Sequence, residues 1–77
     1  MNKKDKANAY KRLLADDTFK LVLDEVREGQ VGIFLNPNSD GEEREKAHNI
    51  VIALQSVIDY MDGVIASDII DDRKNNK

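Results

Sequence analysis

Three places in this sequence carry residue types at spacings that could do chemistry. The first is Asn36-Pro37-Asn38-Ser39-Asp40-Gly41, where side-chain oxygens recur at alternate positions ahead of a glycine. That spacing matches the first half of a calcium-binding EF-hand loop, whose alternate oxygens ligate the ion and whose glycine makes the sharp turn. The match ends there. Asn36 stands where Asp is usual, Pro37 follows it, and Ala47 occupies the place of the bidentate Glu. The same residues read fully as a turn. Pro37 lacks the N–H to continue a helix and pushes Asn36 out of the α region. Ser39-Asp40-Gly41-Glu42 then fits a capping box, with Ser39 as the cap and Glu42 reaching back to it.

The second place is His48, a candidate general base. There is no Cys to activate, and Ser39, the nearest hydroxyl, is assigned to the cap. Asp16-Asp17, Glu42-Glu43 and Asp71-Asp72 supply paired carboxylates. Acid–base pairs need a cleft that drives their pKa values apart, and these fall at expected helix ends or in the terminal tail. One His and no Cys exclude multi-histidine and thiolate metal sites within the chain. We therefore expect a protein that is not an enzyme, with no catalytic residues, cofactor or metal.

The third place is the basic arm formed by Lys3, Lys4, Lys6, Lys11 and Arg12. Against Asp5 it carries +4, which leaves −7 on residues 16–77 of a chain whose net charge is −3. Such an arm could contact phosphates, each contact adding salt-dependent affinity. It matches no named nucleic-acid motif, and pairing with acidic groups of a neighbour is the competing use.

These residues must be positioned by helices. Residues 3–15 have good helix formers with Ala7, Tyr10, Leu13 and Leu14 on one narrow stripe. Asp16 or Asp17 caps a second helix, expected over 18–35. In it Phe19, Leu23, Val26, Gln30 and Ile33 follow core spacing, and Val22, Val26, Gly29 and Ile33 run alongside. Gly29 and Gly32 weaken its last turns or admit a close neighbour. Gln30–Leu35 as a short strand is the alternative assignment.

The third helix, expected over 40–66, carries two adjacent apolar lines. Ala47, Val51, Leu54, Ile58, Met61 and Ile65 repeat at 4-3-4-3-4 spacing. Ile50, Ala53, Val57, Tyr60 and Val64 repeat beside them. One line suffices for a two-helix contact, and two make a face too wide for a single partner helix. The inner line is expected against helix two, with Phe19, Leu23, Val26, Ile33, Val51, Leu54, Ile58 and Met61 as the hairpin core. The outer line is expected at an interface with another chain, or under helix one. Residues 68–77 read as a disordered polar tail after a single helical domain over 1–67.

A chain of 77 residues buries only about 60% of its unfolded surface, so small folds recruit a disulfide, a metal or another copy. Here the last is expected. The fold class is thus all-α: a helical hairpin with a short N-terminal helix packed across it, completed by oligomerisation. No apolar run is seen to approach a membrane span, and the basic N-terminus has no apolar stretch behind it. A cytoplasmic location without membrane contact is expected.

Leu13-Leu14-Ala15-Asp16-Asp17-Thr18-Phe19, Val26-Arg27, Glu43-Arg44-Glu45-Lys46-Ala47 and Ala53-Leu54-x-x-Val57 together resemble a group of short bacteriophage-encoded helical hairpin proteins. These are found among virion-morphogenesis and packaging genes. The similarity spans about residues 13–65, and Gly29, Gly32 and Pro37 depart from it around the turn. It implies a phage accessory protein that binds other proteins, in the host cytoplasm or on the virion, and transfers no activity to particular residues. The alternatives are a small phage inhibitor of a host enzyme and a DNA-packaging accessory that uses the basic arm.

Overall fold

The computed structural model describes residues 1–75 and contains three helices: α1 (Lys3–Ala15), α2 (Asp17–Leu35) and α3 (Gly41–Asn75). Among the described residues there is no strand, and Gln30–Leu35 completes α2 as helix.

Side-chain caps start each helix. The Asn2 side chain accepts from the Asp5 N–H at 2.8 Å, which begins α1. Asp16 ends α1 and starts α2. Its own N–H bonds the Leu13 carbonyl, and its Oδ1 accepts from Phe19 N–H at 2.8 Å. A single extended residue (φ −71°, ψ 125°) therefore separates the two helices. At α3 the cap is Asp40, whose Oδ1 accepts from Glu43 N–H at 2.8 Å, so the Ser39 capping box does not form. The shift by one residue has a local cause: Ser39 is drawn into the preceding turn, where its N–H bonds the Asn36 carbonyl at 3.1 Å. Arg44 clamps the same turn, its Nη2 donating to the Asn36 carbonyl at 3.2 Å. There a cation complements the negative end of α2.

α1 does not lie across the hairpin as expected. Both α1 and α2 run antiparallel to α3, α2 against its N-terminal half and α1 against its C-terminal half. The pairings give the register: Lys3 with Asp71, Tyr10 with Tyr60, Arg27 with Gln55, Phe34 with His48. With only Asp16 between them, α1 cannot fold back over α2, so it takes the next free length of α3.

That placement extends α3. The helix continues to Asn75, so residues 68–75 belong to the helical body and not to a tail; residues 76–77 lie outside those described. Asp68 is 6% exposed, and Asp71 and Asp72 meet Lys3 and Lys4. The helix persists because α1 neutralises its acidic end.

The core is thin. Ala7, Ala47 and Met61 are the buried apolar residues, and no large side chain is fully enclosed. The inner line of α3 faces inward throughout, with Val51, Leu54, Ile58 and Ile65 half-buried. On α2 the inward line is Phe19, Leu23, Arg27 and Gln30. Val26 and Ile33, expected in the core, are exposed on its flank.

Candidate protein–protein interface

The five residues of the outer line stay open. Ile50, Ala53, Val57 and Tyr60 are exposed and Val64 is half-buried, with Val57 at 55% and Tyr60 at 57%. α2 leaves this line uncovered, and α1 borders only its far half, where Met1, Lys3 and Lys6 line a groove with Val64. Of the five, Tyr60 makes the polar contact with α1. Lys6 Nζ donates to its hydroxyl at 3.1 Å, and its ring lies 6.3 Å from that of Tyr10.

α2 adds to this face. At about 3.6 residues per turn, Val22, Val26, Gly29 and Ile33 fall to one flank of its inward line. The outer line of α3 is displaced in the same rotational sense. In antiparallel helices equal senses lead to the same side, so the two rows form one apolar surface. Val22, Val26 and Ile33 are all exposed. A Cβ added at Gly29 would meet nothing within 4 Å, which leaves backbone open to an incoming helix. The stripe through Val22 and Gly29 was legible in the sequence; its alignment with the outer line was not.

The other side of the hairpin is polar at mid-length. Arg27 Nη2 donates to Gln55 Oε1 at 3.2 Å, and Gln55 Nε2 to Asp59 Oδ1 at 2.9 Å. Asp24 lies beside Arg27. That polarity is confined to mid-length, since Val31 and Ile52 are exposed on the same side nearer the turn; the longer apolar row is on the side carrying the five residues.

The basic arm is largely occupied. Lys3 pairs with Asp71, and Lys4 Nζ lies 2.6 Å from Asp72 Oδ2. Lys6 is hydrogen-bonded to Tyr60. These contacts raise the Lys4 and Lys6 pKa values, through the Asp72 carboxylate and the Tyr60 hydroxyl respectively, while Lys3 holds Asp71 below its ordinary value. Lys11 and Arg12 have no ion-pair partner among the described residues. Of the five candidate nucleic-acid contacts, three are thus engaged by the chain itself.

The remaining candidates serve the fold. Asn36 Oδ1 accepts from Asn38 N–H at 2.9 Å, and Asp40 caps α3, so these loop oxygens turn onto their own backbone. His48 is exposed, with its ring 6.3 Å from that of Phe34. Among the described residues no group of three or more His, Asp or Glu side chains is placed to hold a metal.

No family model, curated protein or solved structure matches the chain.

One stretch inside Gly41–Lys74 is long and apolar enough, by length and composition only, to cross a membrane, which corrects the expectation that no run approaches a span. Asp59 and Asp62 stand within it. A carboxylate at the bilayer centre costs roughly 3 kcal/mol. The apolar residues also concentrate in two adjacent lines, which suits a protein surface better than lipid all round.

Proposed function

We propose that this chain is a non-enzymatic, self-associating protein that works by protein–protein contact through the apolar side of its hairpin. Ile50, Ala53, Val57, Tyr60 and Val64 form the centre of that contact, and Val22, Val26 and Ile33 widen it. The observation that carries this reading is the amount of surface left open. A compact monomer of 8.7 kDa exposes about 4,700 Å². This chain exposes 5781 Å², an excess of about 1,000 Å² over that scaling. One side of an ordinary protein–protein interface covers about 800 Å². The excess is therefore what one partner would cover, and the exposed apolar rows are the place for it. The accessory role implied by the resemblance to phage helical proteins is compatible with this mode of action and is not required by it.

Val57 tests it, because it is exposed and central. Light scattering over a concentration series is expected to give an oligomer for the parent. Val57→Glu is expected to give a monomer of unchanged helicity, at least about a hundredfold weaker in association, because burying an unpaired carboxylate is strongly unfavourable. A parent that remains monomeric at high concentration overturns the reading.

A further inference from the structure

We infer that the partner on this apolar side is a second copy docked with its turn at the opposite end, so that α3 lies antiparallel on α3. The inference rests on the self-association reading and adds its geometry.

Side-chain size along the outer line favours this arrangement. In an antiparallel pair centred on Val57, that residue meets its own copy. Ile50 then lies opposite Val64, and Ala53 lies close to Tyr60. Small against large fills the space between helices. With the turns at one end, α3 instead lies over α2 of the second copy, and this small-against-large pairing along the outer line is lost.

Charge points the same way. Two shallow grooves open on this side, one at each end of the hairpin. The groove near the turn is lined by Glu42, Glu45 and Lys46 beside Ile50 and Ala53. The groove at the far end is lined by Lys3 and Lys6 beside Met1 and Val64. Among the described residues, the turn end over 40–46 carries −2. The far end, made of residues 3–8 with α3 over 68–74, carries +1. Opposed turns lay each acidic groove on a basic one. Turns at one end would stack like on like, at the cost of repulsion.

The absence of cysteine allows a single spin label in the turn, through Asn38→Cys. Asn38 is exposed, and its side chain holds no hydrogen bond among those described. Opposed turns place the two labels about 50 Å apart, from the rise of α3 on either side of Val57. A label separation within about 25 Å, expected where helices pack about 10 Å apart at the same end, overturns the inference and leaves self-association standing. A monomeric mass for the unlabelled chain overturns both. The unmodified protein supplies a second readout. Raising salt from about 0.05 to about 0.3 M screens the end charges. The dissociation constant then rises severalfold if opposite ends meet. A fall means that like ends meet, which overturns the orientation.

Discussion

At the residue scale, the decisive side chains are those that join α1 to the end of α3. Lys3, Lys4 and Lys6 invite a nucleic-acid reading in the sequence, yet each finds a partner sixty or so residues away. The pH dependence follows from their shifts. Asp71 is held low by Lys3, so its contribution is fully present above the ordinary carboxylate pKa, near pH 4, and is lost as pH falls through the lower folded value. Lys4 is raised by Asp72, so its contribution is present below the ordinary lysine pKa, near pH 10.4, and is lost as pH rises through the higher folded value. Acid and strong base should therefore both loosen α1, with a plateau between about pH 4 and pH 10.4. Circular dichroism should show α1 helicity falling on the acid side, and Asp71→Asn should shrink that step. Both partners are exposed, so salt should also shrink it.

At the element scale, Asp16 shows how one residue sets topology. It closes one helix and caps the next, and its extended backbone is the whole connection. α1 is thereby committed to lie beyond α2 on the same neighbour. The glycines of α2 act differently. A Cβ at Gly32 meets nothing within 4 Å, and by periodicity Gly32 lies opposite the inward line, away from the proposed contact. Gly32→Ala should thus stabilise the protein by about 0.5–1 kcal/mol, read as a higher urea midpoint, with no change in self-association. Gly29 lies on the apolar face, where a methyl group would meet an incoming helix.

At the scale of the whole molecule, the shape explains the exposure. The chain measures 59 × 22 × 19 Å with a radius of gyration of 16.9 Å, whereas a compact chain of this length would have about 11.5 Å. So elongated a chain encloses few side chains, and the proposed partner would supply the cover it lacks. A partner that binds only the folded form stabilises it by mass action. The thermal midpoint should accordingly climb by several degrees across a hundredfold rise in protein concentration. In Val57→Glu it should stay flat and low.

The sequence by itself determined the helices, most of their boundaries and the existence of two apolar lines on α3. Those features depend on residues three and four apart, on local caps and on Pro37, all of which are readable in a window of a few residues. The caps slipped by one position at Ser39 because two adjacent oxygens compete for one helix end, and the turn decided between them. Only the tertiary structure decided where α1 goes, that residues 68–75 are helix, and that Arg27 faces α3 while Val26 and Ile33, expected there, do not. Each of these depends on partners distant in the chain: Asp71 and Asp72 are an acidic tail until Lys3 and Lys4 stand opposite them. The five outer residues were visible as a line in the sequence. That they share one side with Val22, Val26 and Ile33, and lie open, followed only from the antiparallel placement of α2 on α3.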